Sequence, residues 1–197
     1  MPQEATATKL NRGHRPRNKM TPKPMLSKHR LILLRHAKSA WPDGVADRER
    51  PLADRGRKAA PVIGTYMVRE KLIPDLALVS PARRAQETWK LIRRALSKKV
   101  SEREAPDIYE VSADRILDVI RTVEPGVRTL LIVGHNPGME NAASLIAPDG
   151  DADAVGRMRE KFPTAGLAVI DLDLDGWDEI AAGTGYLERF VTPGSLG

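Results

Sequence analysis

The stretch Leu31–Trp41, LILLRHAKSAW, joins four apolar residues directly to Arg35 and His36. Two other apolar runs of the same length, LALV and LLIV, occur at 76–79 and 130–133. Uninterrupted runs of this length are typical of strands that are buried on both faces of a parallel sheet. The first strand therefore ends abruptly on a cation and an imidazole, which indicates that a polar site begins where the buried strand stops.

Amphipathic periodicity predicts helices between and after these strands. Helices are expected at 54–71 and at 152–161. A third is expected at 81–96, with Ser80 as N-cap and Pro81 in the first turn. Two more are expected after a cap at Ser112 and from Asn136-Pro137 to about Ile146. The segment 167–182, LAVIDLDLDGWDEIAA, predicts two strands joined by a hairpin at Asp175-Gly176. The pattern predicts a three-layer α/β/α sandwich with a mostly parallel sheet and an antiparallel C-terminal strand pair.

The composition favours one domain at 29–197 that is neither disulfide-bonded nor membrane-spanning. The chain has 197 residues and no cysteine, and no apolar run approaches the roughly 20 residues that cross a bilayer. The first 30 residues lack the apolar block of a secretory signal. We therefore expect a cytoplasmic protein without a membrane partner.

The net charge of +6 is concentrated at the N-terminus. Residues 1–30 hold eight of the 32 basic residues and one of the 26 acidic residues, so the rest of the chain is close to neutral. Residues 1–28 are rich in Pro, Thr, Lys and Arg and show no apolar periodicity, which predicts a disordered basic tail. Such a tail can contact nucleic acid, but charge runs of this kind are usually solvated, and nucleic acid is not the favoured partner.

Polar residues follow each of the three apolar runs. LILL leads into Arg35-His36, LALV into SPARRAQET with Arg83 and Arg84, and LLIV into GHNPG with His135. The carboxyl ends of parallel strands meet at one edge of a sheet, which is where ligands bind in open α/β folds. The sequence therefore predicts that Arg35, His36 and His135 share a pocket with either Arg83 or Arg84.

This set of side chains favours phosphate chemistry. Arginine binds phosphate oxygens in a bidentate manner, and helix N-termini at the same edge add backbone N–H donors. A histidine among arginines has a lowered pKa, which keeps it neutral and nucleophilic near pH 7. His36 can then attack phosphorus, and His135 can donate to the phosphoryl oxygens. Zinc is disfavoured because no third ligand has metal-like spacing and the arginines oppose a cation, so no metal or cofactor is expected.

The motifs LLRHAKSAW, DRERPLADRG, LVSPARRAQET and LIVGHNPGME, in this order from Leu31 to about Ile146, resemble the histidine phosphatase superfamily. The form RHAKS…W with RPL…RG is most similar to the bacterial phosphohistidine phosphatase subgroup. The resemblance implies that Arg35 binds phosphate and that His36 is the phosphorylated nucleophile. It also selects Arg84, directly before Ala, over Arg83, and matches His135 to the second histidine of the family.

The same resemblance leaves two further residues with weaker assignments. Arg50, in RPL, falls on a recurring position of the subgroup near the mouth of the pocket. Glu110 lies in the region where mutase-type members place a general acid, but the surrounding mutase motif is absent. Asp43 and Asp47 are the other candidates for this acid.

The predicted function is that of a phosphatase with a phosphohistidine enzyme intermediate and a phosphorylated protein, bearing phosphohistidine, as substrate. A leaving imidazole is protonated easily near neutral pH, which suits a site without a clear acid. The main alternative substrate is a small phosphorylated metabolite, either a sugar phosphate or a nucleotide. A phosphoglycerate mutase is disfavoured by motif and length, and a non-catalytic phosphate-binding module by the complete Arg-His-Arg-His set.

Overall fold

The computed structural model describes residues 27–196, in which one seven-stranded sheet lies between two layers of helices. The strands are β1 (His29–Arg35), β2 (Leu76–Val79), β3 (Ser101–Glu104), β4 (Thr129–Gly134), β5 (Asp149–Gly150), β6 (Leu167–Leu172) and β7 (Gly185–Val191). The helices are α1 (Asp54–Arg69), α2 (Arg83–Arg93), α3 (Ala113–Arg121), α4 (Gly138–Ile146) and α5 (Ala152–Glu160). The α/β sandwich predicted from the three apolar runs is confirmed.

The strand order is β3-β2-β4-β1-β6-β7-β5, which places the three predicted apolar strands side by side at the centre. β1 pairs in parallel with β4, and β4 with β2. On its other side β1 pairs antiparallel with β6, which in turn pairs antiparallel with β7. The mostly parallel sheet and its antiparallel C-terminal pair are therefore as predicted.

Two apolar cores, one on each face of the sheet, explain why β1 is apolar without alternation. Leu31 and Leu33 pack into the core under α3, α4 and α5, whereas Ile32 and Leu34 pack into the core under α1 and α2. Each of these four side chains is fully buried. At roughly 1.5–3 kcal/mol for a buried aliphatic side chain, these residues anchor the strand firmly and fix the position of Arg35 at its end.

Two helix starts differ from the prediction, whereas the cap at Ser112 is confirmed by a bond from the backbone N–H of Arg115. α2 begins at Arg83 after Ala82, and Ser80 is fully buried instead of capping the helix. α4 begins at Gly138 after a cis peptide bond between Asn136 and Pro137. The Ser80 hydroxyl bonds to His135 instead of capping α2, and the Asn136 Nδ2 donates to Glu140 and to the carbonyl of Phe162.

The predicted tight hairpin at Asp175-Gly176 is wrong: residues 177–182 form no strand, and β6 pairs with β7, which begins beyond them. The second strand is β7, and the segment between β6 and β7 contains a short 3-10 turn at Trp177–Glu179. Trp177 and Ile180 are both buried, and the Trp177 Nε1–H donates to the carbonyl of Val127 at 2.8 Å. Their spacing of three residues follows a turn of helix rather than the two-residue period of a strand.

Strand β3 has no signal in the sequence. Its four residues, SERE, are all exposed, so it forms the polar edge of the sheet beside β2 and lacks any apolar alternation. Most of the predicted basic tail, residues 1–26, lies outside the described residues. Lys28 is described: its backbone N–H donates to Leu172, and its ammonium group pairs with Asp175 at 2.7 Å.

Candidate active site

The ends of β1, β2 and β4 bring the predicted polar residues to one edge of the sheet. His36 follows β1 and His135 follows β4, and the backbone N–H of His36 donates to the carbonyl of Gly134 at 3.0 Å. The centroids of the two imidazole rings are 5.1 Å apart. The parallel pairing of β1 with β4 therefore determines the separation of the histidines.

A turn at 162–166 is hydrogen-bonded to both the side chain and the backbone of Arg35. The Arg35 Nη1–H donates to the carbonyl of Phe162 at 2.8 Å, and the backbone N–H of Ala165 lies 3.1 Å from the carbonyls of both Arg35 and His36. The Arg35 Nε is buried and has no hydrogen-bond partner within residues 27–196. Burial lowers the pKa of Arg35, and a guanidinium in this position gains from an anion that enters the pocket.

The orientation of the His36 ring leaves one nitrogen free to react. Nδ1 lies 2.7 Å from the carbonyl of Ala37, and because a carbonyl only accepts, Nδ1 carries the proton and Nε2 carries the lone pair. Burial lowers the pKa of His36 to about 3, and the bond to Ala37 offsets this only in part. His36 is therefore a neutral imidazole at physiological pH, as a nucleophile must be.

The tautomer of His135 follows from its two partners. Arg84 donates from Nη2 to Nδ1 of His135 at 3.2 Å, and since a guanidinium cannot accept, the proton lies on Nε2. Nε2 is 2.7 Å from the Ser80 hydroxyl and donates to it. Burial, reinforced by the charge of Arg84, lowers the pKa of His135 to about 4. Ser80 thus contributes to the site instead of capping α2.

The two adjacent arginines at the start of α2 occupy different environments. The Arg84 side chain is 3% exposed and points into the pocket, whereas the Arg83 side chain is 53% exposed and pairs with Glu87 at 2.8 Å. Arg84 donates from Nη1 to the backbone carbonyl of Asp47 at 2.6 Å. Of the two arginines, Arg84 therefore lies in the pocket and Arg83 lies on the surface.

Asp47, in a 3-10 turn at 47–49, connects the cations of the pocket. Its Oδ2 accepts from Arg84 at 2.9 Å and from the Tyr109 hydroxyl at 2.7 Å, and its Oδ1 accepts from Arg50 at 2.7 Å. Partial burial raises the pKa of Asp47, but the bonds from Tyr109, Arg50 and Arg84 outweigh it and hold the pKa well below its usual range. Asp47 is therefore ionised near neutral pH and does not serve there as a proton donor.

Arg50 and Trp41 form the mouth of the pocket. Arg50 donates to the Ser39 hydroxyl at 2.6 Å and to the carbonyl of Ala40 at 3.1 Å. Its guanidinium carbon lies 3.1 Å from the centroid of the Trp41 ring, which is 74% exposed. This cation–π contact keeps the indole at the rim despite its exposure.

Glu110 also lies at the rim, whereas Asp43 does not line the pocket. The Oε1 of Glu110 is 3.1 Å from the Nη2 of Arg84, and the Glu110 side chain is 53% exposed. All six residues proposed from the sequence therefore meet here, together with partners that the sequence did not assign. The pocket has a volume of about 280 Å³, and its lining also includes Lys38, Ser39, Trp41, Asp47, Asn136 and Thr164.

The remaining surface of the described chain offers no competing centre of this kind. A larger groove, of about 560 Å³, lies between the end of α2 and β3, but no histidine lines it. Residues 27–196 contain no group of three or more histidine, aspartate or glutamate side chains arranged to hold a metal ion. None of the helices in this part of the chain combines the length and apolarity needed to span a bilayer.

Comparison with known proteins assigns the chain to a family. The family model for branch 1 of the histidine phosphatase superfamily matches residues 31–118. SixA from Agrobacterium tumefaciens, a protein proposed to be a phosphohistidine phosphatase, shares 30% identity and a TM-score of 0.70, with 84% of this chain and 98% of that chain covered. The chain belongs to the histidine phosphatase superfamily, in its SixA-like subgroup.

Two further relatives extend the comparison. An uncharacterised protein of Mycobacterium tuberculosis is 36% identical over 162 residues, which cover 81% of this chain and 99% of the relative. SixA from Nakamurella multipartitia shares the fold with a TM-score of 0.73 at 23% identity, over 84% of this chain and 96% of that chain. Membership in the family together with its SixA-like neighbours supports a phosphatase, a hydrolase whose substrate is phosphorylated.

Proposed function

We propose that this phosphatase removes the phosphoryl group from phosphohistidine in proteins, through an intermediate phosphorylated on His36. The observation that carries the proposal is the small open pocket: about 280 Å³, with Trp41 exposed at its mouth. A phosphorylated side chain on the surface of a protein can enter only a pocket that is open to solvent, because the rest of the protein blocks a lid from closing. The relative from Agrobacterium, itself proposed to act on phosphohistidine, supports the same substrate class.

The segment between α4 and β6 supports an open pocket as well. It runs from 147 to 166 and forms β5 and α5. β5 pairs with β7, and α5 packs Ala154 and Met158 into the core on the α4 side of the sheet. This connection is therefore used to extend the fold and not to cover the pocket.

In the first chemical step, Arg35 and Arg84 bind the phosphoryl oxygens, and His135 donates its Nε2–H to them in place of the Ser80 hydroxyl. The Nε2 of His36 attacks phosphorus. The bond from Nε2 to phosphorus forms while the bond from phosphorus to the substrate nitrogen breaks. The electron pair of that bond leaves with the substrate imidazole, which takes a proton from solvent or from a protonated group at the rim, where Glu110 lies. The developing charge is spread over oxygens held by fixed donors, which is the main source of rate enhancement in phosphoryl transfer.

In the second step, water attacks phosphorus and the bond to the Nε2 of His36 breaks. One proton of the water is transferred to phosphate or solvent, and His36 returns to the neutral form with its proton on Nδ1. The bond from Nδ1 to Ala37, at 2.7 Å, holds the ring in one orientation through both steps. No redox step and no cofactor enters this sequence of displacements.

The proposal is tested with four substrates: a phosphohistidine peptide, a sugar phosphate, a nucleotide and an aryl phosphate. We expect the wild-type protein to release phosphate fastest from the peptide and His36→Ala to be inactive on all four. Mass spectrometry after a rapid quench at alkaline pH is expected to find the phosphoryl group on His36. Preference for the sugar phosphate or the nucleotide would show that the substrate is a small metabolite and not a phosphorylated protein. Full turnover by His36→Ala would refute the phosphorylated intermediate.

A further inference from the structure

A second groove adjoins the active site and has a cationic wall. It has a volume of about 190 Å³ and shares Lys38 and Thr164 with the catalytic pocket, so the two adjoin. Its lining includes the cations Lys38 and Arg55 and the segment Thr192–Gly194. We propose that it binds an acidic side chain next to the phosphohistidine of the substrate protein, an inference that rests on the proposed function.

The position of the two cations is fixed by the backbone and not only by flexible side chains. The backbone N–H of Ala53 donates to the carbonyl of Lys38 at 2.9 Å, which attaches the start of α1 to the segment after His36. Gly56 makes this approach possible, because a Cβ atom there would lie 2.2 Å from the Lys38 carbonyl oxygen. Lys38 therefore lies two residues from the nucleophile, with Arg55 in the first turn of the adjoining helix.

The charge of this groove is uncompensated in the described part of the chain. No acidic residue lines it, and neither Lys38 nor Arg55 has an ion-pair partner within residues 27–196. Neighbouring arginines behave differently: Arg50 pairs with Asp47 at 2.7 Å, and Arg57 pairs with Asp54 at 3.1 Å. Two unpaired cations next to the pocket attract a carboxylate that the substrate brings with it.

A polypeptide is the occupant that fits this arrangement. The groove adjoins the pocket at Lys38 and Thr164, so a chain whose phosphohistidine enters the pocket can place its neighbouring residues there. Thr192 and Pro193 add polar and apolar surface without charge, so Lys38 and Arg55 are the groups that attract an acidic side chain. The expected ligand is thus an aspartate or glutamate of the substrate, close in sequence to the phosphohistidine.

The test compares phosphohistidine peptides of equal length that carry Glu before the phosphohistidine, Glu after it, or Gln on both sides. For the wild-type protein we expect kcat/KM for one Glu peptide to exceed that for the Gln peptide by about fivefold, the scale of two exposed ion pairs. The preference is expected to fall at high salt, since exposed charges are screened. Arg55→Glu should lower the ratio to one or below, and this change suits the first turn of a helix.

Arg94→Glu is the matched control, because Arg94 is an exposed arginine at the end of α2 and does not line either cavity near the site. It should keep the wild-type ratio. The ratio is measured within one variant, so a general loss of activity does not alter it. Equal rates on all peptides by the wild-type protein would refute the binding of an acidic side chain in the groove and leave the proposed function intact. Activity on an aryl phosphate and on none of the peptides would refute both the groove proposal and the proposed function.

Discussion

Arg83 and Arg84 are adjacent in sequence, yet only Arg84 is directed toward both histidines. Its Nη2 bonds to His135, and its charge lowers the pKa of His36 as well as that of His135. Arg84 is held by Asp47 and Glu110, so an entering phosphoryl group must share or replace these carboxylates. The carboxylates thus keep the guanidinium in place while the pocket is empty of substrate.

We expect Arg84→Ala to lower kcat/KM by about 10²- to 10³-fold, the loss associated with removing one fixed donor to a transition state. Arg83→Ala is the matched control, because it removes an exposed ion pair with Glu87 and should change kcat/KM by less than about twofold. Steady-state kinetics of both variants, with circular dichroism to confirm folding, measures the difference. A larger loss for Arg83→Ala would reverse the assignment of the two arginines.

Sequence reasoning located the histidines and arginines because each follows a run whose burial could be read directly. It did not assign Ser80 or Tyr109 to the site, and it treated Asp47 only as one candidate acid. Ser80 carried a competing signal, since a serine before a proline also predicts a helix cap. Asp47 and Tyr109 lie in connections whose path over the sheet depends on long-range packing, and a local pattern does not encode that path.

At the scale of elements, the contact between α1 and the segment after β1 is the one that joins the catalytic pocket to the second groove. It depends on Gly56, which lies inside α1 and is buried against the backbone of Lys38. Glycine ordinarily weakens a helix, so its presence at this point is explained by the close approach and not by helix stability.

Gly56→Ala is therefore expected to destabilise the protein, in contrast to the usual effect of alanine in a helix. The new Cβ would meet backbone atoms of Lys38 at 2.2 Å, and overpacking of this kind costs about 1–3 kcal/mol. Gly156→Ala, in α5 with nothing within 4 Å of the new Cβ, should stabilise the protein by roughly 0.5–1 kcal/mol. Urea unfolding of both variants gives the two signs, and stabilisation by Gly56→Ala would contradict the close approach.

The elements that the sequence predicted are those with a dense apolar signal. β1, β2 and β4 are buried on both faces, and α1 to α5 each have an apolar face directed at the sheet. β3 was missed because an exposed edge strand needs no apolar residue, and its pairing depends only on the backbone of β2. The predicted hairpin was wrong because Asp-Gly is only a local turn signal. Burial of Trp177 instead places the residues after it in a 3-10 turn, and β7 begins later.

At the scale of the whole molecule, the two buried histidines of the pocket couple it to the free energy of unfolding. His36 is 8% exposed and His135 is 5% exposed, and burial is the largest cause of the lowered pKa of each. Because both rings are neutral and buried in the folded state, they resist protonation there. In the unfolded chain each histidine returns to an ordinary pKa near 6.5.

The sign of the pH dependence follows from this difference. Above about pH 7.5, a unit above the ordinary histidine pKa, neither state binds a proton at these residues, and their contribution to stability is fully present. As the pH falls below 6.5, the histidines of the unfolded chain become protonated. In the folded state they stay neutral until the pH approaches about 4 for His135 and about 3 for His36. Each histidine then lowers the free energy of unfolding by up to about 1.4 kcal/mol per pH unit.

We therefore expect the urea midpoint of the wild-type protein to fall steeply between pH 6.5 and pH 4.5. His36→Gln removes one of the two titrating rings and should make this fall shallower, whatever its effect on stability at pH 7. The measurement is a series of urea titrations at fixed ionic strength, since other ion pairs also respond to salt. A slope in His36→Gln equal to that of the wild type would show that His36 is not held neutral in the folded protein.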